Sequence, residues 1–75
     1  MTVAERVLDV VHSVVGGAPE PDSKLKEDCG VDSLDAVEIV IELEEEFDFD
    51  ISEGDAEKWV TIQDIINFFE DRGIK

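Results

Sequence analysis

Apolar residues recur at helical spacing in several stretches of the chain, and the first stretch lies at the N-terminus. Valines follow one another at steps of three and four residues, which is the stripe of an amphipathic helix: Val3, Val7, Val10, Val11 and Val14. Thr2 and Glu5 have the spacing of a capping box, in which both side chains accept backbone N–H groups at the helix start. Gly16 and Gly17 then interrupt the pattern. These signals predict a helix from about Val3 to Val15.

The second helical stretch runs from Ser33 to about Phe47. Asp32 is its expected N-cap and Asp35 lies one turn on, where carboxylates favour the positive end of the helix dipole. At about 100° per residue, with Leu34 at 0°, the face between about 180° and 240° is the expected core face: Ala36, Val40, Leu43 and Phe47. The face between about 20° and 100° is acidic: Asp35, Glu38, Glu42 and Glu45.

Two apolar residues of this helix fall outside its expected core face. Leu34 at 0° and Ile41 at about 340° lie beside the acidic stripe. Apolar side chains next to carboxylates and close to Ser33 have the character of a docking surface. Single exposed apolar residues are also common on any protein surface. The helical wheel by itself favours neither interpretation.

The remaining pattern predicts two more helices and a long loop. Ser52 and Asp55 have cap spacing before a short helix at roughly Glu53–Lys58. Thr61 is the expected cap of a last helix ending near residues 70–72, with a stripe of Ile62, Ile65, Ile66 and Phe69. Residues 16–31 form a Gly- and Pro-rich loop that Leu25 is expected to anchor to the core. Since no stretch alternates with period two, the predicted fold is all-α: a small bundle of three main helices plus one short helix, in one domain spanning 1–75.

The charge of the chain restricts its partners. Asp and Glu total 21 against 6 Lys and Arg, for a formal net charge of -15. Such a surface repels phosphates, which excludes nucleic acid as a natural partner, and attracts proteins with basic patches. We expect salt or divalent cations to stabilise the fold, because they screen the self-repulsion. The chain has no apolar run long enough for a bilayer and no signal peptide. It is therefore expected to have no membrane partner and to lie in the cytoplasm, or in an organelle matrix after loss of a targeting segment. We also expect a monomer.

Catalysis has weak support in the sequence. A domain of 75 residues is short for an enzyme with a deep pocket. Ser33 lacks the flanking glycines of a nucleophile elbow. His12 is the only histidine and belongs to another predicted helix, and Cys29 is the only cysteine, expected to be a small apolar contact. We predict that the protein is not an enzyme and has no catalytic residues.

The segment 48–52 begins like an EF-hand calcium loop, but the rest of that motif is missing. The turn glycine of that motif comes one position late, at Gly54, and Trp59 occupies the position of the bidentate glutamate. No metal site is therefore predicted, although the acidic helices can bind divalent cations weakly and without specificity.

Ser33 is the residue whose role decides the function. A serine with an exposed hydroxyl at a helix start can be a cap, a nucleophile or an attachment point. The missing elbow disfavours the nucleophile. A phosphodiester built on Ser33 would lie near helix N–H donors that stabilise its charge, whereas serines at helix starts often serve only as part of the cap.

The residues around Ser33 form a specific pattern. They read Gly30-Val31-Asp32-Ser33-Leu34-Asp35, then Val37-Glu38-Ile39-Val40 and Leu43-Glu44-Glu45-Glu46-Phe47. This pattern closely resembles the acyl carrier proteins of type II fatty acid synthesis, and the similarity extends to residues 55–58 and 61–63. Peptidyl carriers more often have Gly-Gly-x-Ser there and lack the acidic run. The resemblance covers nearly the whole chain, and length and acidity agree with it.

The resemblance implies a carrier function. Ser33 and Asp32 would form the cofactor-binding site. Ser33 would bear a 4'-phosphopantetheine arm, transferred from coenzyme A by a phosphopantetheinyl transferase (holo-acyl carrier protein synthase), and the arm's thiol would hold acyl chains as thioesters. Acyltransferases, ketosynthases and other synthase enzymes would dock through basic patches onto Asp32, Leu34, Asp35, Glu38, Ile41, Glu44 and Glu45. The acyl chain would be sheltered by Val40, Leu43, Trp59 and Ile65.

Several residues depart from the family pattern. Cys29 stands where relatives usually have Leu, Trp59 replaces an aliphatic residue, and Ile65 is large where many relatives have Ala. Trp59 and Ile65 would narrow the cavity, so shorter or specialised acyl groups are predicted; protection of a long saturated thioester from hydrolysis would contradict this. The loop with Pro19 and Pro21 also departs from the family pattern.

Two alternatives to this function remain. One is a discrete carrier of a specialised polyketide or aminoacyl pathway, and the other is a non-carrier acidic interaction domain with weak divalent-cation binding.

Overall fold

The computed structural model describes residues 2–74 and contains four helices. They are α1 (Val3–Val15), α2 (Ser33–Phe47), α3 (Glu53–Ala56) and α4 (Ile62–Asp71). Within the described residues, β pairing is limited to one isolated bridge between Lys24 and Thr61. The predicted all-α bundle of three main helices and one short helix is confirmed.

Side chains at the helix starts explain where the helices begin. The Thr2 Oγ1 accepts the Glu5 N–H at 3.1 Å and the Glu5 carboxylate accepts the Thr2 N–H at 3.1 Å, which is the predicted capping box. The predicted bounds of α1 and α2 are confirmed. Helix α3 is shorter than predicted, since it ends at Ala56 and not at Lys58. The chain tightens there into a turn of i to i+3 type, in which the Lys58 N–H donates to the Asp55 carbonyl at 3.2 Å.

Helix α1 is the centre of the bundle, since it packs against both α2 and α4. The largest fully buried side chains come from these three helices: Val7, Val11, Leu43, Ile62, Ile65 and Phe69. No residue of α3 is buried. The short helix therefore lies beside the core and packs against it through the half-buried Ala56.

The core face predicted for α2 was wrong at one residue and incomplete at another. The wheel places Ala36 in the core, but Ala36 is exposed. It omits Ile39 from the core, but Ile39 is only 2% exposed. The buried sector of α2 is centred on Leu43 and spans about 140° to 220° on the wheel, so Ile39 falls at its edge. Ala36 points the same way as Leu43, but residues 33–38 include no buried side chain. This N-terminal part of the helix projects beyond the packed region.

The long loop is anchored as predicted. Leu25 is 8% exposed and its N–H donates to the Val60 carbonyl at 2.9 Å. The N–H groups of Ile62 and Gln63 donate to the carbonyls of Ser23 and Pro21, at 3.1 and 2.8 Å. These two donors belong to the first turn of α4, where a helix has no partners of its own. The loop carbonyls therefore satisfy the free N–H groups at the start of α4.

Five aromatic side chains form one continuous cluster, which we call the aromatic cluster. Phe47 stacks on Phe69 with ring centroids 4.1 Å apart. Phe49 meets Phe68 and Phe69 edge-on at 5.9 and 6.0 Å, and Trp59 meets Phe68 edge-on at 5.4 Å. Edge-to-face and offset contacts are the favourable geometries for aromatic rings. The aromatic cluster joins the end of α2 to α4 and to the segment after α3.

Arg6 fixes the C-terminal end of α2. Its Nε lies 2.8 Å from Glu46 Oε2, and its Nη2 donates to the Glu46 carbonyl at 2.6 Å. The guanidinium carbon lies 4.2 Å from the ring centroid of Phe47. Helix α2 has no basic residue in its last turn. Arg6 thus supplies, from α1, the positive charge that a helix C-terminus favours.

Candidate functional site

Ser33 and Asp32 have separate roles at the start of α2. The Asp32 carboxylate accepts the Asp35 N–H at 2.8 Å, and the Asp35 carboxylate faces the Asp32 N–H at 3.4 Å. Asp32 is therefore the N-cap, and Ser33 is the first residue of the helix, with an exposed side chain. Within residues 2–74 the Ser33 hydroxyl has no hydrogen-bond partner. The cap leaves this hydroxyl available, so helix capping does not account for the serine.

The backbone beside the Ser33 hydroxyl can receive an anion. The N–H groups of Ser33 and Leu34 belong to the first turn and have no acceptor among the described residues. In α4, by contrast, the corresponding donors are filled by loop carbonyls. Free N–H groups at the positive end of a helix stabilise a phosphate group. The start of α2 is therefore chemically suited to a phosphodiester on Ser33.

Residues 24–31 form a turn that leads directly into the start of α2. Gly30 has a φ of 69°, a left-handed conformation that glycine adopts without a Cβ penalty. The next residue, Val31, is buried, and its N–H donates to the Leu25 carbonyl at 2.9 Å. Cys29 is half-buried against the core, as predicted. Burial and the nearby Asp28 carboxylate raise the pKa of its thiol, which disfavours the nucleophilic thiolate.

An apolar stripe follows Ser33 along α2. Leu34, Val37 and Ile41 are 68%, 55% and 47% exposed, and together we call them the α2 stripe. The predicted exposure of Leu34 and Ile41 is confirmed. Val37 was missed, although the signal was present, since it falls at about 300° on the same wheel, next to Ile41 and Leu34. Three large apolar residues at one helix face form a patch, whereas a single one would be ordinary.

The acids predicted to contact partners differ in how far they are free to do so. Glu38 and Glu45 are exposed, and Asp35 is half-buried within the capping box. Glu44 is half-buried, and its Oε2 accepts the Ile51 N–H at 2.9 Å. Glu44 therefore also holds the segment that follows α2, whereas Glu38 and Glu45 have their carboxylates in solvent.

The four residues predicted to line an acyl pocket lie in one apolar cluster. Leu43 and Ile65 are fully buried, and Val40 and Trp59 are partly buried against them and their neighbours. Two surface grooves stand out among the described residues, with volumes of about 180 and 260 Å³. Of the four residues, Trp59 alone lines one of these two grooves, the larger.

Other candidate chemistry is not assembled around Ser33. His12 is exposed, and its Nδ1 lies 2.6 Å from the Gly17 carbonyl. Among residues 2–74, no three His, Cys, Asp or Glu side chains are grouped to hold a metal ion. Over the same residues, no helix is both long and apolar enough to cross a bilayer.

Comparisons with known proteins bear on this geometry. The family described as "Phosphopantetheine attachment site" matches residues 5–69. The chain is 46% identical to the acyl carrier protein of Campylobacter concisus over 76 residues, covering 97% of this chain and 99% of that protein. It is 44% identical to the acyl carrier protein of Chlorobium phaeobacteroides, with 88% of each chain covered. It is 38% identical to that of Bdellovibrio bacteriovorus, with 97% of each covered.

Proposed function

The chain belongs to the phosphopantetheine attachment-site family, and from this premise we propose that Ser33 carries the arm of an acyl carrier protein of fatty acid or related lipid biosynthesis. The cofactor of the family is covalent 4'-phosphopantetheine, and its members of this kind are carriers and not catalysts. The assignment to Ser33 rests on one observation, which is that two neighbouring residues have separate roles at the start of α2. Asp32 caps the helix, while Ser33 keeps an exposed hydroxyl without a hydrogen-bond partner within residues 2–74.

The chemistry of attachment agrees with the surroundings of Ser33. The hydroxyl oxygen would attack the pantetheine-side phosphorus of the coenzyme A diphosphate and give up its proton to a base of the transferase. The P–O–P bond would break, leaving a phosphodiester on Ser33 and releasing adenosine 3',5'-bisphosphate. A phosphopantetheinyl transferase must catalyse this step, because no base lies within hydrogen-bond distance of the Ser33 hydroxyl among the described residues. The N–H groups of Ser33 and Leu34 would then face the new negative charge.

Incubation with coenzyme A and a phosphopantetheinyl transferase tests the attachment site. Intact mass must rise by one phosphopantetheine, and Ser33→Ala must abolish the rise. Ser52→Ala is the matched control, because Ser52 is also an exposed serine at a helix start, where its Oγ caps α3. An unmodified wild-type chain, or a modified Ser33→Ala variant, would overturn the assignment. Unmodified wild type would favour the acidic interaction domain.

Partner enzymes are proposed to dock on the α2 stripe. Leu34, Val37 and Ile41 offer an apolar centre beside the arm, and Glu38 and Glu45 offer charge at its edge. A complementary surface has an apolar depression surrounded by Lys and Arg, which steers association and fixes its register. The partners proposed to have such surfaces are the phosphopantetheinyl transferase, acyltransferases and ketosynthases.

Because these partners handle coenzyme A and acyl thioesters, the proposed location of the protein is the cytoplasm or an organelle matrix.

Apolar docking is tested with Ile41→Asn against the control Val60→Asn, since Val60 is 60% exposed and lies outside α2. We expect Ile41→Asn to raise the transferase KM at least about fivefold, the effect of losing a modest interface anchor. Equal KM values for the two variants would refute docking on the stripe.

The charged edge is tested with Glu38→Lys against Asp9→Lys, which makes the same charge change at an exposed site of α1. At low salt the Glu38 variant should show the larger loss of association rate, and salt should reduce the difference. Equal losses would show that net charge matters and position does not.

A further inference from the structure

The larger surface groove lies between the segment 55–59 and α4. Its volume is about 260 Å³, and its lining includes Trp59, Phe68, Asn67, Lys58 and Arg72. A cavity of about 150 Å³ is sufficient to bind benzene. By volume, this groove, which is open to solvent, has space for one six-membered ring.

Trp59 supplies the aromatic surface that a ligand in this groove can reach. Its indole is half-buried and meets Phe68 at 5.4 Å with an interplanar angle of 76°. Phe68 is only 8% exposed, and the Arg72 guanidinium carbon lies 3.6 Å from its ring centroid. Phe68 is thus already covered, while part of the indole still faces solvent.

One wall of the groove is able to yield. Asp55 in α3 is tied to Arg72 at the end of α4 by an ion pair of 3.8 Å, and no residue of α3 is buried. An ion pair between partly exposed side chains contributes little to stability. The core on the other side of Trp59, which includes the fully buried Ile65 and Phe69, is close-packed and resists opening.

We propose that this groove binds the flat end of the acyl group on the Ser33 arm, an aryl or conjugated group stacked on or against Trp59. The proposal rests on the proposed function of Ser33. An aromatic ring in the groove gains a ring–ring contact with the indole, which favours it over an alkyl group of equal size by about two- to tenfold. A saturated chain gains no such contact, and since both groups meet the same rim of Lys58, Asp64 and Asp71, the contact with the indole is what distinguishes them.

The length of the arm permits this placement. From the Ser33 oxygen to the thiol the phosphopantetheine arm has about 14 bonds, which is a reach of roughly 18 Å when extended. The molecule measures 29 × 25 × 18 Å along its principal axes. Hydrogen bonds of 2.9 Å join Val60 to Leu25 and Leu25 to Val31, which precedes Ser33 by two residues. Ser33 therefore lies within about 17 Å of Val60, the neighbour of Trp59, and a cargo on the thiol can reach the groove.

The test compares two thioesters with the same number of acyl carbons, phenylbutanoyl and decanoyl, loaded on the protein from their coenzyme A esters by a phosphopantetheinyl transferase. Loading is first verified by intact mass. The half-life of each thioester toward hydroxylamine is then measured relative to the same thioester on free pantetheine. The emission of Trp59, the single tryptophan of the chain, is recorded for both loaded forms and for the holo form.

We expect the aryl thioester to be protected at least about twofold more than the alkyl thioester and to change the Trp59 emission. Trp59→Leu should abolish the difference, Trp59→Phe should retain most of it, and Val60→Ala, beside the groove, should leave it intact. Equal protection in the wild type, or an aryl preference that survives Trp59→Leu, overturns the proposal. Absence of any mass increase overturns instead the assignment of Ser33.

Discussion

Replacing Arg6 by Met tests the idea that one side chain fixes the C-terminal end of α2. Arg6 contacts Glu46 twice, through the carboxylate at 2.8 Å and the carbonyl at 2.6 Å, and its guanidinium lies over the Phe47 ring. Methionine keeps much of the apolar stem but removes the charge and the donors. The aromatic stack of Phe47 on Phe69 would stay, so the variant isolates the contribution of the guanidinium.

The expected loss is about 2 kcal/mol. The side chains of Arg6 and Glu46 are 26% and 42% exposed, so the ion pair contributes about 0.5 kcal/mol. The hydrogen bond to the carbonyl contributes about 1 kcal/mol, and the cation over Phe47 about 0.5 kcal/mol. For a domain of this size, 2 kcal/mol corresponds to a fall in Tm of about 8–16 °C.

Thermal unfolding followed by far-UV circular dichroism measures the effect. Lys26→Met is the control, because it removes the same charge from an exposed residue that has no ion pair among the described residues. Arg6→Lys keeps the charge but not the fork of donors, so it should lie between wild type and Arg6→Met. A fall for Arg6→Met no larger than that for Lys26→Met would refute the specific contacts. Wild-type stability in Arg6→Lys would show that charge alone suffices.

Three further predictions concern stability. Raising the salt from low to moderate concentration should raise Tm, because it screens the net charge of -15, and an unchanged Tm would contradict this. Gly30→Ala should cost about 1 kcal/mol because φ is 69°, whereas Gly54→Ala in α3, where a new Cβ meets nothing within 4 Å, should stabilise by about 0.5 kcal/mol; denaturant unfolding of both variants checks the contrast. The N–H groups of Thr61 and Val60 donate to the Asp64 carboxylate and lower its pKa in the folded state. That stabilisation is present above the ordinary carboxyl pKa of about 4 and is lost as pH falls further. The difference in Tm between wild type and Asp64→Asn should therefore shrink below about pH 4, and a difference independent of pH would contradict the assignment.

Helix starts could be predicted from the sequence because their signals are local. Caps depend on side chains within one turn of each other, so the capping box of Thr2 and Glu5 predicted the start of α1, and Asp32 as N-cap predicted the start of α2. The exposure of Leu34 and Ile41 followed from the wheel for the same reason. Ala36 failed because a wheel gives direction but does not show how far along the helix the packing partners extend.

The contacts that join distant segments could not be predicted. Arg6 and Glu46 are 40 residues apart, and nothing in either segment identifies the other as a partner. The stack of Phe47 on Phe69 likewise depends on the packing of α2 and α4 against α1. At the candidate site, the resemblance identified Ser33, but only coordinates showed that Asp32 alone caps the helix. The groove beside Trp59 had no sequence signal.

The hydrogen bonds between residues 21–25 and the start of α4 divide the long loop into two parts with different tolerance to cleavage. Trypsin can cut after Lys24 or Lys26, but Leu25 lies between them with its N–H bonded to the Val60 carbonyl. To enter the active site of a protease, residues 21–25 must detach from the start of α4. This detachment would at the same time expose the N–H donors of Ile62 and Gln63. Residues 16–20 carry no such bonds to α4 and can accept an inserted tag or a new chain terminus. Susceptibility to trypsin at Lys24 therefore measures how often this segment detaches from the start of α4.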